Sequence, residues 1–205
     1  MTQRAENPKS YPPRFANANF DIVAIASSAG GLTALNTILS ALPKDFPAAI
    51  ALVQHLAPQH PSLMSQILAR HTALEVKEAE EGDRLTPGRI YIAPPDYHLL
   101  VNSDGTLFLS QSKQINYLRP SADVLFKSVA DSYKNRAMAI VLTGTGRDGA
   151  TGVEAIHEMG GTVIAQDQKS SEFFGMPNAT INTGNVNYIL PLDEISKTLL
   201  SLVLG

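Results

Sequence analysis

Four short apolar runs constrain this chain more than anything else in it. Residues 21–26 read DIVAIA, 48–54 AAIALVQ, 137–143 AMAIVLT and 161–167 GTVIAQD. A strand with one wet face alternates polar and apolar residues, whereas a strand apolar along its length is covered on both faces. Segments of helical period lie between the runs. Residues 30–42, GGLTALNTILSAL, put Leu32, Leu35, Ile38, Leu39 and Leu42 on one face, and Pro43 ends them. Residues 62–71 are expected as a helix with Leu63, Ile67 and Leu68 inward. Residues 121–133 form a further helix capped by Ser121 or Asp123. A helix over 148–159 closes on Gly160 and Gly161. A short helical piece (176–183), a short strand VNYIL and an amphipathic helix over 192–204 complete the alternation. The expected fold class is α/β: a doubly wound, mostly parallel sheet with helices on both faces. In the middle, EVKEA and RIYIAPP read as shorter strands, and YHLLV and TLFLS flank the turn signal NSDG. Residues 97–109 are therefore an antiparallel hairpin, inserted beside the sheet or at its edge.

With 205 residues, one domain is expected. Residues 1–20 are polar, carry three prolines and show no apolar period, so they read as a disordered tail before a single domain over 21–205. Sixteen basic and nineteen acidic residues give a net charge of −3, which offers no electrostatic footprint for nucleic acid or an anionic membrane. The absence of cysteine removes disulfides, thiolate metal sites and a cysteine nucleophile. No apolar run approaches the roughly 18 residues of a membrane span, and the start has no apolar core of a signal peptide.

In open α/β sheets ligands bind beyond the carboxyl ends of the strands. Three loops there carry reactive side chains. Ala26-Ser27-Ser28-Ala29-Gly30-Gly31 follows a strand and opens a helix, close to the pattern of a nucleophile elbow at Ser28. The competing reading is that Ser27 or Ser28 simply caps the helix. Gln54-His55 follows the second run, where a histidine can act as general base. His55 and His60 together suggest metal ligands, but no carboxylate stands at zincin spacing, so no metal is expected. Thr143-Gly144-Thr145-Gly146-Arg147-Asp148-Gly149 supports two readings. Gly144, Gly146 and Gly149, with Asp167 eighteen residues on (167 − 149), match a dinucleotide fingerprint for NAD or NADP. Alternatively Asp148, ionised near a helix N-terminus, orients a histidine.

With these loops in view, residues 22–200 resemble the catalytic domain of the CheB family of chemotaxis protein-glutamate methylesterases. The resemblance rests on SSAGG at 27–31, Gln54-His55, VKEAEEGDRLTPGRIYIAPPDYH at 76–98, RPSADVLFKSVA at 119–130, VLTGTGRDGATG at 141–152 and FGMP at 174–177. It implies a Ser-His-Asp triad falling on Ser28, His55 and Asp148, with backbone N–H groups near Ala29 and Thr145 forming an oxyanion hole and no cofactor. The family loop is close to G-A-S-T-G-G, so the departures here flank the nucleophile, and methionine often stands where Thr145 does. Arg119 and Met176 are expected to line the cleft or touch the substrate, against readings as a surface ion pair and core packing. Asp96 and His98 form a second acid–base pair for which a structural role is expected. The implied partners are methyl-accepting chemotaxis receptors, demethylated at glutamyl methyl esters or deamidated at glutamines in the cytoplasm. A receiver domain, usual in the family, needs a further domain's length. A non-enzymatic adaptor on the same fold is the main alternative.

Overall fold

The computed structural model describes residues 15–55 and 63–205. In chain order the strands are β1 (Ile22–Ser27), β2 (Ala49–Gln54), β3 (Glu75–Glu78), β4 (Arg89–Ile92), β5 (His98–Val101), β6 (Leu107–Ser110), β7 (Ala137–Val141), β8 (Thr162–Gln166) and β9 (Tyr188–Leu190). Seven of them form one sheet, ordered β3-β4-β2-β1-β7-β8-β9, and every pairing in it is parallel. β5 and β6 form the separate antiparallel hairpin expected around NSDG.

The register of the centre decides where chemistry can sit. β1 runs beside β2 from Ile22↔Ala49 to Ser27↔Gln54, and beside β7 from Ile22↔Ala137 to Ala26↔Val141. All three strands are fully buried, as their unbroken apolar character demands. Their two faces differ in size. One face offers Ala24, Ala26, Ala49, Ala51, Ala137 and Ala139; the other offers Val23, Ile25, Ile50, Leu52, Met138 and Ile140. Over the small-residue face lie α3 (Ala122–Tyr133), α4 (Ala150–Glu158) and α5 (Gly175–Ile181), bringing large residues such as Leu125, Phe126 and Val129. Over the other face lie α1 (Gly31–Ser40), α2 (Met64–Ala69) and α6 (Leu192–Leu204), anchored by Leu35, Ile38, Leu68, Ile195 and Leu199. Alanines on the strands let α3 settle deeply over the central strands, with volume supplied from the helix side.

The hairpin packs beneath α3. Ser128 Oγ accepts the Val101 N–H at 3.0 Å and Ser132 Oγ donates to the Val101 carbonyl at 3.0 Å, so two helix hydroxyls satisfy backbone groups of β5. α2 departs from expectation. Leu63 points outward and is 58% exposed, while Met64 and Leu68 are the buried anchors.

At the amino ends of the strands, Asp21 is buried and takes the Arg136 guanidinium in a two-pronged ion pair. Its Oδ1 also accepts the Phe15 N–H at 2.7 Å, and Asn19 N–H donates to the Val203 carbonyl at 2.8 Å. Residues 15–20 are thus held to the body, while residues 1–14 of the expected tail lie outside the described residues. At the opposite ends, the chain leaves β1 through α1 toward β2 and leaves β7 through α4 toward β8, on opposite sides. That reversal makes the carboxyl ends of β1 and β7 the switch point of the sheet, the position where such sheets bind ligands.

Candidate active site

The loop after β1 is shaped by contacts that tolerate no side chains at two glycines. Gly30 is left-handed (φ 75°) with the Glu172 side chain against it, and a Cβ at Gly31 would collide with Gln54 Oε1 and Ser27. Neither serine caps α1. Ser27 Oγ donates to Gln54 Oε1 at 2.5 Å, and the cap position is Gly30. Gln54 Nε2 donates to the Ser28 carbonyl at 2.8 Å, so one buried amide grips both serines. On the other flank, Ser28 N–H donates to the Thr143 carbonyl at 3.0 Å, and Thr143 Oγ1 donates to the Ala29 carbonyl at 3.0 Å. The Ser28 hydroxyl itself has no hydrogen-bond partner among the described residues. Nor do the N–H groups of Ala29 and Thr145.

His55 stands one residue past β2. Its N–H donates to the Ser27 carbonyl at 3.1 Å, which keeps it beside the serine loop. Its Nε2 lies 2.8 Å from Asp148 Oδ2. With Nε2–H donating to the carboxylate, Nδ1 is the ring nitrogen left as acceptor. The three side chains named from sequence thus come from the loops after β1, β2 and β7, at one rim of the sheet.

Asp148 is 2% exposed. It was expected to draw support from the N-terminus of its own helix, but α4 begins only at Ala150 and the supporting terminus is that of α3. Asp148 accepts the Ala122 N–H at 2.6 Å, the Asp123 N–H at 3.3 Å and the Ser121 hydroxyl at 2.7 Å. Neither expected side-chain cap of α3 is made, because Asp148 performs that task from another segment. Asp123 returns it: its Oδ1 accepts Gly149 N–H at 3.0 Å and Gly152 N–H at 2.7 Å, capping α4. Each helix is capped by a carboxylate belonging to the other's side. Burial works against the Asp148 charge, yet the bonds from His55, Ser121 and Ala122 outweigh it and hold its pKa below the ordinary value. Burial instead raises Asp123, with the neighbouring Asp148 charge adding to the rise against the Gly152 bond.

The same exchange removes the dinucleotide reading. The N–H groups of Gly149 and Gly152, which a pyrophosphate would need, already serve Asp123. Asp167 holds the Ser170 backbone and hydroxyl at 2.9 and 2.6 Å. Arg119 is also committed: Nε and Nη2 bind Asp96 Oδ1 at 3.0 and 2.6 Å, and Nη1 donates to the carbonyls of Gln111 and Ser112. Met176 is fully buried, close under Gly144. Met176 is thus enclosed, whereas Arg119 keeps part of its side chain exposed. His98 is buried; its Nδ1 accepts Ser121 N–H at 3.2 Å and its Nε2 lies 3.2 Å from the Lys113 carbonyl, the structural role expected. His60 lies outside the described residues. Two supports had no role assigned from sequence: the Gln54 side chain and the bond from Ser121 to Asp148. The adjacency of Gln54 to His55 was the only signal for the first, and Ser121 read only as a cap.

A family model described as CheB methylesterase matches residues 23–199. The chain belongs to the CheB methylesterase family. The crystal structure of the Thermotoga maritima CheB methylesterase catalytic domain superimposes with a TM-score of 0.87 at 41% identity, covering 90% of this chain and 99% of that one. A protein-glutamate methylesterase/protein-glutamine glutaminase of Caulobacter vibrioides is 40% identical over 204 residues, spanning 97% of this chain but 59% of that protein. The corresponding Thermotoga maritima protein is 42% identical over 185 residues and is matched over 54% of its length. A Leptospira interrogans relative, 37% identical over 184 residues, is matched over 95% of its length. This chain therefore spans little more than half of some CheB relatives and nearly the whole of another. Among the described residues, no helix is long and apolar enough to cross a membrane.

Proposed function

We propose that this chain hydrolyses γ-glutamyl methyl esters on the cytoplasmic helices of chemotaxis receptors, with Ser28, His55 and Asp148 as its triad. The observation that carries the reading is the 2.8 Å bond from His55 Nε2 to a buried, ionised Asp148, at the rim where Ser28 offers an unengaged hydroxyl. His55 Nδ1 takes the Ser28 proton as Oγ bonds to the ester carbonyl carbon. Asp148 fixes the tautomer and stabilises the imidazolium. The N–H groups of Ala29 and Thr145 receive the negative oxygen of the tetrahedral intermediate. Collapse breaks the bond to the methoxy oxygen, which leaves as methanol with the proton from His55. Water, deprotonated by the same nitrogen, then attacks the acyl-enzyme and releases the glutamate. A glutamine side chain follows the same course with ammonia as leaving group. Family membership and the names of the relatives support the ester and amide chemistry.

Ser28→Ala is expected to abolish methanol release from methylated receptor, by at least about 10³-fold, with an unchanged unfolding midpoint. Undiminished release would remove Ser28 from the reaction. Receptor binding by the wild type without methanol release would leave a docking module in place of an esterase.

A further inference from the structure

The turn that precedes Arg119 is built to display one aromatic side chain. Ile115 and Leu118 exchange both backbone hydrogen bonds, at 3.1 and 2.8 Å, around a two-residue turn. Both turn residues have positive φ, 48° at Asn116 and 67° at Tyr117. Asparagine accepts this conformation readily, but the second position of such a turn normally belongs to glycine. Here it holds a tyrosine, and that tyrosine is 93% exposed. The strained conformation gives no packing in return.

The base of the turn is held rigidly. Arg119 ties the carbonyls of Gln111 and Ser112 to Asp96, and the Lys113 carbonyl sits 3.2 Å from buried His98 Nε2. The chain then passes directly into Ser121, whose hydroxyl binds Asp148. Tyr117 is four residues from Ser121 (121 − 117), so their Cα atoms are at most about 14 Å apart. That is close to the diameter of one α-helix with its side chains.

We propose that Tyr117 is a docking residue for the protein helix that carries the ester. The inference rests on the esterase reading above and adds to it how a helical substrate is recognised. With the modified side chain at Ser28, Tyr117 meets the same helix farther along its axis. A preformed turn presents the ring without an ordering cost on binding, and tyrosine is among the residues that dominate interface energetics.

Tyr117→Gly is the discriminating variant, because glycine suits this backbone better than tyrosine and the turn is retained. The expected result is about a tenfold higher KM for methylated receptor fragment with kcat little changed. The rate at which a small fluorophosphonate labels Ser28 stays at the wild-type value, and Tyr117→Phe behaves close to wild type. An unchanged KM in Tyr117→Gly overturns the docking role and leaves the esterase intact. Equal loss of labelling and demethylation overturns it too, by making the turn part of the catalytic frame. A wild-type protein that neither labels nor releases methanol fails the esterase reading itself, and the docking role falls with it.

Discussion

Asp148 keeps a negative charge where burial opposes one, and it does so through donors from two segments: His55 after β2, and the start of α3 with Ser121 at its cap position. Its folded pKa lies below the unfolded value of 3.8, so the ionised form is what folding favours. The stability it contributes is complete above that value and is lost as pH falls through the folded pKa. Asp148→Asn is therefore expected to be less stable than wild type at pH 7, by on the order of 2 kcal/mol. The gap should narrow as the pH drops below 4 in urea unfolding. On the esterase reading, Ser121 acts on the reaction through this carboxylate, which its hydroxyl binds. Ser121→Ala is expected to lower kcat about tenfold with KM unchanged, and Ser121→Thr to restore most of it. A rise in KM instead would assign Ser121 to substrate contact.

Between α3 and α4 the elements meet at a glycine. A Cβ on Gly152 would stand 2.7 Å from Phe126 Cβ and 3.0 Å from the Asp123 Cα. Alanine is the better helix former by about 1 kcal/mol, yet here overpacking of about 1–3 kcal/mol opposes it. Gly152→Ala is expected to lower the unfolding midpoint and to reduce activity by more than the stability loss explains. Pushing α3 outward draws Ser121 and Ala122 away from Asp148. Elements of this kind were largely legible in the sequence. Apolar runs gave β1, β2, β7 and β8 because both their faces are covered, and NSDG gave the hairpin because its turn chemistry is local. α2 was misphased: six residues hold fewer than two turns, so neighbours rather than period decide whether Leu63 or Met64 turns inward. The loops that carry the three candidate side chains were legible because each follows a buried strand. The imidazole nitrogen that faces Asp148, the grip of Gln54 and the exchanged caps were not. They depend on how loops far apart in the chain come into register, and no local pattern records that.

Across the whole molecule, the two ends of the sheet do different work. The carboxyl ends carry the rim with Ser28, His55 and Asp148, while the amino ends carry the ion pair of Asp21 with Arg136. Arg136→Met leaves Asp21 buried without its cation, at a cost of about 3 kcal/mol. The expected effect is an unfolding midpoint lower by about 10 °C. Methanol release at 25 °C, well below that midpoint, should be unchanged, and a loss there would show that the two ends are coupled. The pairing of β1 with β7 has one more consequence. It joins stretches more than a hundred residues apart, between which β2 to β6 must be made. During synthesis, a ribosome that has delivered β1 and β2 but not β7 has produced the hydroxyl and the imidazole without their carboxylate. On the esterase reading, the emerging polypeptide stays inert until the segment that carries Asp148 arrives to dock against His55.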